Sequence, residues 1–251
     1  LSQEATIHVG TSGWNYGHWK GPFYPDSISD SELLAYYADR FETVEVNNTF
    51  YTLPSEKTVT RWYETAPEGF VFAVKASRYI THMKNLLDPE EPVNRFLDRV
   101  SALEIKLGPV LFQLPPNWNC NRERLAAFLE VLPKGYNYAF EFRDPSWFNE
   151  DIYEMLSAHK IAFCMYYMAG DYAPKEITAD WIYIRMHGPN QAYAGSYDTQ
   201  TLAAWAGACS TWLRQGKDVY CYFNNDPEGH APRDAVRLLA MLDSDQGSEQ
   251  N

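Results

Sequence analysis

Two carboxylates, three strong cations and one imidazole stand at or near the ends of short apolar runs: Glu45, Glu141, Lys75, Arg143, Arg185 and His187. Carboxylates can take or deliver protons, the imidazole titrates nearest neutrality, and the cations can hold negative charge that a substrate brings. Val44-Glu45-Val46-Asn47-Asn48 sets a carboxylate and two amides at one such end, although Asn48 also reads as an ordinary turn residue. Phe112-Gln113-Leu114-Pro115-Pro116 ends another run with an amide and a stiff exit. Glu141-Phe142-Arg143-Asp144 brings opposite charges to one face of an extended chain. Arg143 is then available to fork onto an anion or to pair with Asp144. Arg185-Met186-His187-Gly188 and Phe223-Asn224-Asn225-Asp226 close two later runs. Glu45, Lys75, Glu141, Arg185 and His187 are the catalytic candidates. Trp14, Tyr16, Asn47, Asn48, Gln113, Arg143, Asn224 and Asn225 are the substrate-binding candidates.

The elements that must position these groups repeat one rhythm: a short apolar run, a polar loop, then usually a segment with helical periodicity. The runs are 7–10, 43–47, 70–75, 110–114, 137–143, 161–167, 181–187 and 218–224, rich in Val, Ile, Phe and Tyr as buried parallel strands are. Helix starts are signalled by Ser29-x-x-Glu32, a capping box before Leu33, and by Ser55 and Asn121 as N-caps. Apolar stripes follow at Leu125, Phe128 and Leu129, at Phe96, Val100 and Leu103, at Leu202, Trp205, Cys209 and Trp212, and at Val236 and Leu239. Residues 168–180 are too broken for a full helix. Eight strands alternating with about seven helices, without a break in composition, predict a single (β/α)8 TIM-type barrel over 1–242, with the helix after strand six short or missing. Residues 243–251 read as a polar, disordered tail. An open doubly wound sheet is the alternative, but Gly10-Thr11-Ser12-Gly13-Trp14 lacks the G-x-G-x-x-G of its usual first turn.

Strand side chains alternate between faces. Val44 and Val46, Phe140 and Phe142, and Ile184 and Met186 fall on one parity; Glu45, Asn47, Lys75, Gln113, Glu141, Arg143, Arg185, His187 and Asn224 fall on the other. In a barrel the second set points inward at the C-terminal strand ends, so all nine are expected around one mouth. Each taken singly also has a structural reading, as a satisfied buried polar contact. Trp14 and Tyr16 can wall a pocket or, with Trp19, Phe23 and Tyr24, simply plug the barrel top. The loops carrying Gly188, Gly195 and Gly229 occupy the place where barrels often bind phosphate.

Composition narrows the classes further. The chain has 251 residues, 45% of them apolar, with 21 Lys+Arg against 33 Asp+Glu and a net charge of -12. That is a folded-protein composition whose acidity argues against generic nucleic-acid or anionic-membrane binding. No apolar stretch is long enough to span a bilayer, and the opening residues show no signal-peptide pattern. Cys120, Cys164, Cys209 and Cys221 form no C-x-x-C and read as reduced packing thiols of a cytoplasmic protein. No metal-binding spacing, G-x-S-x-G elbow or phosphate loop occurs, so neither a metal nor a cofactor is expected. The oligomeric state is left open.

The strings GTSGW at 10–14, VEVNNTFY at 44–51, FAVKASRYITH at 72–82, LFQLPP at 111–116, EFRDPSW at 141–147 and YFNND at 222–226, in this order, resemble the domain of unknown function seventy-two family, the YecE-like proteins. The resemblance runs from about Thr6 to Leu242 and implies a TIM-type barrel; it implies no particular reaction.

Three functions fit these residues. The first is acid/base enzymology without a metal on a small polar, anionic substrate bearing phosphate or carboxylate. Glu45 or Glu141 would be the acid or base, His187 the proton shuttle, and Lys75, Arg143 and Arg185 the anion holders. The second is a metal-dependent hydrolase or isomerase, including an endonuclease-like phosphodiester hydrolase, with Glu45, Glu141 and His187 as ligands. The third is a non-catalytic barrel that reads a small ligand. Schiff-base chemistry at Lys75 is a minor further case.

Overall fold

The computed structural model describes residues 5–248. The strands are β1 (Ile7–Thr11), β2 (Thr43–Val46), β3 (Val71–Lys75), β4 (Leu107–Gln113), β5 (Tyr138–Glu141), β6 (Ala162–Met168), β7 (Asp171–Tyr172), β8 (Trp181–Met186) and β9 (Asp218–Phe223). The helices are α1 (Leu33–Ala38), α2 (Asn48–Tyr51), α3 (Glu56–Thr65), α4 (Glu90–Val100), α5 (Arg122–Glu130), α6 (Glu150–Ala158), α7 (Thr199–Arg214) and α8 (His230–Ser248). Hydrogen-bonded neighbours run β1-β9-β8-β6-β5-β4-β3-β2, with β7 attached to β6. This is the strand order of a (β/α)8 TIM-type barrel. No helix follows β6. Instead β7 folds back antiparallel on it, Tyr167 opposite Tyr172, and Tyr167 and Tyr172 stack at 4.2 Å.

The chain divides into two compact units. The first holds the described residues up to Val44, then Met165–Ala173, then those from Asp180 onward. Its parallel pairs are β1 with β9 and β8 with β9, in unbroken register from Trp181–Asp218 to Met186–Phe223. Asp198 caps α7 by accepting from Thr201 N at 2.7 Å. The second unit is Glu45–Cys164 with Pro174–Ala179. There β3 pairs with β4, β4 with β5 and β5 with β6, all parallel. Three of its helices, α3, α5 and α6, start at side-chain caps: Ser55, Asn121 and Asn149 accept from the Thr58, Arg124 and Ile152 amides. Phe112 and Phe140 meet Phe128 of α5 at 5.1 and 5.9 Å. That side of β4 and β5 therefore faces a helix, and Gln113 and Glu141 lie on the other.

Three local expectations change. Ser29 does not cap α1: Glu32 holds the cap position, and its carboxylate accepts from the Ser29 amide at 3.0 Å. A backbone turn from Glu32 N to Ser29 O has replaced the hydroxyl half of the box. The buried stripe of α8 is Ala235, Leu238 and Leu242, while Val236 is half exposed. The helical phase is set here by the buried Asp234, and that turns Val236 outward. Finally, α8 continues to Ser248 past the expected start of the tail, because the buried Leu242 anchors a turn whose hydrogen-bond ladder carries on. Residues 249–251 of that tail lie outside the described residues.

Candidate functional site

In the second unit the polar groups sit at the C-terminal ends of β2 to β5. Glu45 and Glu141 are fully buried and Gln113 nearly so. Register places Gln113 opposite Glu141, and the Leu114 amide donates to Glu141 O at 2.9 Å. The Glu141 carboxylate accepts a hydrogen bond from Arg143 Nε–H on Oε1, in an ion pair whose side chains are 0% and 6% exposed. Its Oε2 lies 3.9 Å from the Cys164 thiol of β6. Arg143 therefore pairs with Glu141. Asp144 turns away to accept from the Ser146 amide and hydroxyl. A buried carboxylate tied to a guanidinium is expensive to desolvate and is held here by geometry.

Lys75 ends β3 with its ammonium 4.0 Å over the ring of Phe50. The Thr49 hydroxyl donates to Lys75 O at 2.6 Å, fastening α2 to that strand end. Asn47 precedes α2, half-buried, and its carbonyl accepts from Phe50 N. Asn48 opens the same turn and is exposed. His82 meets the edge of the Phe50 ring at 5.0 Å. Burial, then the charges of Lys75, Arg143 and Arg78, push its imidazole down to about 4, against a smaller opposing pull from Glu141. His82 is thus neutral at physiological pH.

In the first unit Arg185 and His187 are fully buried at the end of β8. The His187 backbone is fixed on both sides, its N–H donating to Tyr167 O at 2.7 Å and its carbonyl accepting from Tyr193 N. Asn224 Nδ2 stands 3.1 Å from His187 Nδ1. The rings of Tyr166 and Tyr193 flank the imidazole at 6.0 and 5.4 Å. Asn225 uses its amide nitrogen within the fold, while its Oδ1 is buried without a hydrogen-bond partner among the described residues. Its amide donates to Gly195 O and Asp234 Oδ2, stapling the loop after β8 to the start of α8. Trp14 is buried, with its carbonyl accepting from the Tyr24 hydroxyl at 2.6 Å. Tyr16 is half-buried against Trp19 at 4.8 Å, and its hydroxyl donates to Ser12 O.

Two titratable groups escape a parity argument because they lie in loops. One is His82, in the π-helical turn Tyr79–Met83 after β3. The other is Asp226, after β9. Burial pushes the Asp226 carboxyl up to about 6, only partly offset by its own amide and by the charges of His18 and Arg185. Its Oδ1 is buried with no hydrogen-bond partner. Its carbonyl accepts from Trp19 Nε1 at 2.9 Å, which holds the residue in place. The sequence signal for both was proximity to a strand end. Among the described residues, no three His, Cys, Asp or Glu side chains are grouped to hold a metal ion, and no helix is long and apolar enough to cross a membrane.

A family model described as "Protein of unknown function DUF72" matches residues 8–251. The UPF0759 protein YunF of Bacillus subtilis is 26% identical over 94% of this chain and 95% of its own length. The UPF0759 protein YecE of Escherichia coli is 32% identical over 57% of this chain and 50% of its own. The crystal structure of a DUF72 family protein from Thermotoga maritima superposes with a TM-score of 0.85 at 32% identity, covering 95% of this chain and 99% of that one.

Proposed function

The chain belongs to the DUF72 family, and we propose that it is an enzyme doing acid/base chemistry on a small, polar, anionic molecule at the C-terminal strand ends. In (β/α)8 enzymes the reacting groups stand at that end of the strands. The observation that carries this reading is the set of groups at the ends of β3 and β5: Lys75, Arg143 and the buried Glu141, beside an imidazole that burial and the cations hold neutral. In a protein of net charge -12, Lys75 at the end of β3 and Arg143 just past β5 offer an anion two cations, set against the Glu141 carboxylate that pairs with Arg143.

In this reading Lys75 and Arg143 hold the substrate's phosphate or carboxylate. Glu45 and Glu141 are the proton acceptors, and no metal is required. In the first unit, His187 at the end of β8 is a further proton-transfer candidate, with Asn224 beside its ring and Arg185 on the same strand. The four cysteines are reduced, which supports a cytoplasmic setting.

Calorimetric titration with phosphate and with citrate at low salt tests the anion site. Wild type should bind at least one, and Lys75→Gln should weaken it about tenfold, the loss of one charge-assisted contact. Turnover in a screen of small phosphorylated and carboxylated compounds, abolished by Glu141→Gln, would distinguish catalysis from ligand binding alone. Wild type that binds neither anion overturns the proposal.

A further inference from the structure

We propose that the turn after β3 completes a site for a doubly charged oxyanion, sulfate- or phosphoryl-like, which Lys75, Arg78 and Arg143 attract and His82 meets as a proton donor. The inference rests on the anion-binding reading above and narrows its substrate class to dianions.

The parts belong to one unit and connect through aromatic rings. Lys75 Nζ lies 4.0 Å over Phe50, and His82 meets the edge of the same ring at 5.0 Å. Phe50 packs edge-on to Tyr51 at 5.0 Å, and the Arg78 guanidinium lies 5.7 Å from the centre of the Tyr51 ring. Tyr51 is 67% exposed, so this assembly is open to solvent. His82 is placed by a π-helical turn, Tyr79–Met83, a geometry that recurs at functional sites. Its Nδ1 is 2.9 Å from the Thr81 hydroxyl. Among the described residues Nε2 has no hydrogen-bond partner and is the nitrogen left for a ligand.

Charge decides the class of ligand. The ionised groups acting on His82 are Lys75, Arg78 and Arg143, three positive, against Glu141, one negative. Burial first, and then this excess of two positive charges, hold the imidazole unprotonated in the free protein. A monoanion removes half of that excess, and a dianion removes all of it. With a dianion bound, the charge part of that opposition is cancelled while burial still opposes protonation, and the oxyanion itself accepts a hydrogen bond from Nε2–H. Binding of a dianion therefore takes up a proton at His82, and by linkage it tightens as pH falls. Nothing else is transferred: one proton comes from solvent to Nε2, and none leaves the oxyanion.

Sulfate is the probe, because it keeps its double charge where phosphate would itself titrate. Its affinity for wild type should rise about threefold between about pH 7 and about pH 5, as His82 moves part of the way back toward its ordinary range. The His82 ring proton signals should titrate at higher pH with sulfate than without. In His82→Gln the affinity should become flat over that range. Arg78→Gln, at an exposed position that leaves packing intact, should weaken sulfate several-fold at every pH. Nitrate should bind weakly, with little proton uptake. Sulfate binding that leaves the His82 titration unmoved overturns this inference and spares the proposed function, as does tight citrate binding with no sulfate binding. Absence of any anion binding overturns both.

Discussion

Asp226 shows how burial alone can reverse the usual behaviour of a carboxylate. Most carboxylates in folded proteins gain partners and are held low. This one lies against buried surface with an unpartnered Oδ1, and its carboxyl is pushed up to about 6. The folded state therefore holds a proton that the unfolded state releases near pH 4. Across the window from about 4 to about 6, folding stability falls as pH rises, because ionising the buried group opposes the fold. Above that window the full cost, on the order of 1–3 kcal/mol, remains. Asp226→Asn should accordingly be more stable than wild type at about pH 7.5 and equal to it at about pH 4. Thermal melts of both proteins at the two pH values check this, and a variant less stable than wild type at the higher pH would show that the ionised carboxylate has a partner. His82 and Asp226 thus share one lesson. Neither sequence position differs chemically from any other His or Asp, and each acquires its behaviour from what surrounds it.

At the scale of elements, α8 is tied to the loop after β8 through one buried carboxylate. Asp234 accepts from the Ser196 hydroxyl at 2.7 Å, the Tyr197 amide at 3.0 Å, the Asn225 side chain at 2.9 Å and Arg237 at 2.9 Å. The Arg237 guanidinium also donates to Tyr197 O at 2.7 Å, closing the network. Removing the carboxylate strands four donors, one of them charged, so Asp234→Ala should cost about 3–5 kcal/mol. Val236→Asp, two residues on and facing solvent, should change stability by no more than about 0.5 kcal/mol. Urea unfolding of both variants compares them. Parity read β8 and β9 from sequence and listed Asn225 only as a substrate-binding candidate. The staple was illegible because Asp234 and Tyr197 are 37 residues apart, and no local pattern reports a contact of that span. The exposed Val236 has the same origin, since a two-residue apolar stripe is too short to set the phase of a helix that a buried Asp fixes instead.

For the whole molecule, the four thiols offer a direct test of packing. Cys164, Cys209 and Cys221 are buried and only Cys120 is partly exposed, with its thiol pushed up by burial. A thiol reagent should therefore label one cysteine in the native protein, slowly at neutral pH because the thiolate is scarce, and all four after denaturation. Rapid native labelling of more than one would contradict the burial described here. The same division between local and distant causes runs through the entire chain. Sequence by itself determined the eight main strands, a helix short or missing after β6, the caps at Ser55 and Asn121, and the face of β5 on which Glu141 lies. Alternation, capping and turn chemistry depend on residues within a few positions of one another, so they can be read in order along the chain. Only the tertiary structure decided that Arg143 takes Glu141 rather than Asp144, that Lys75 rests on Phe50, and that Asn225 serves a loop. It also decided that His82 stands among three cations and that Asp226 loses its solvent. Those outcomes depend on desolvation and on charges brought together across strands, and both arise only once distant segments pack.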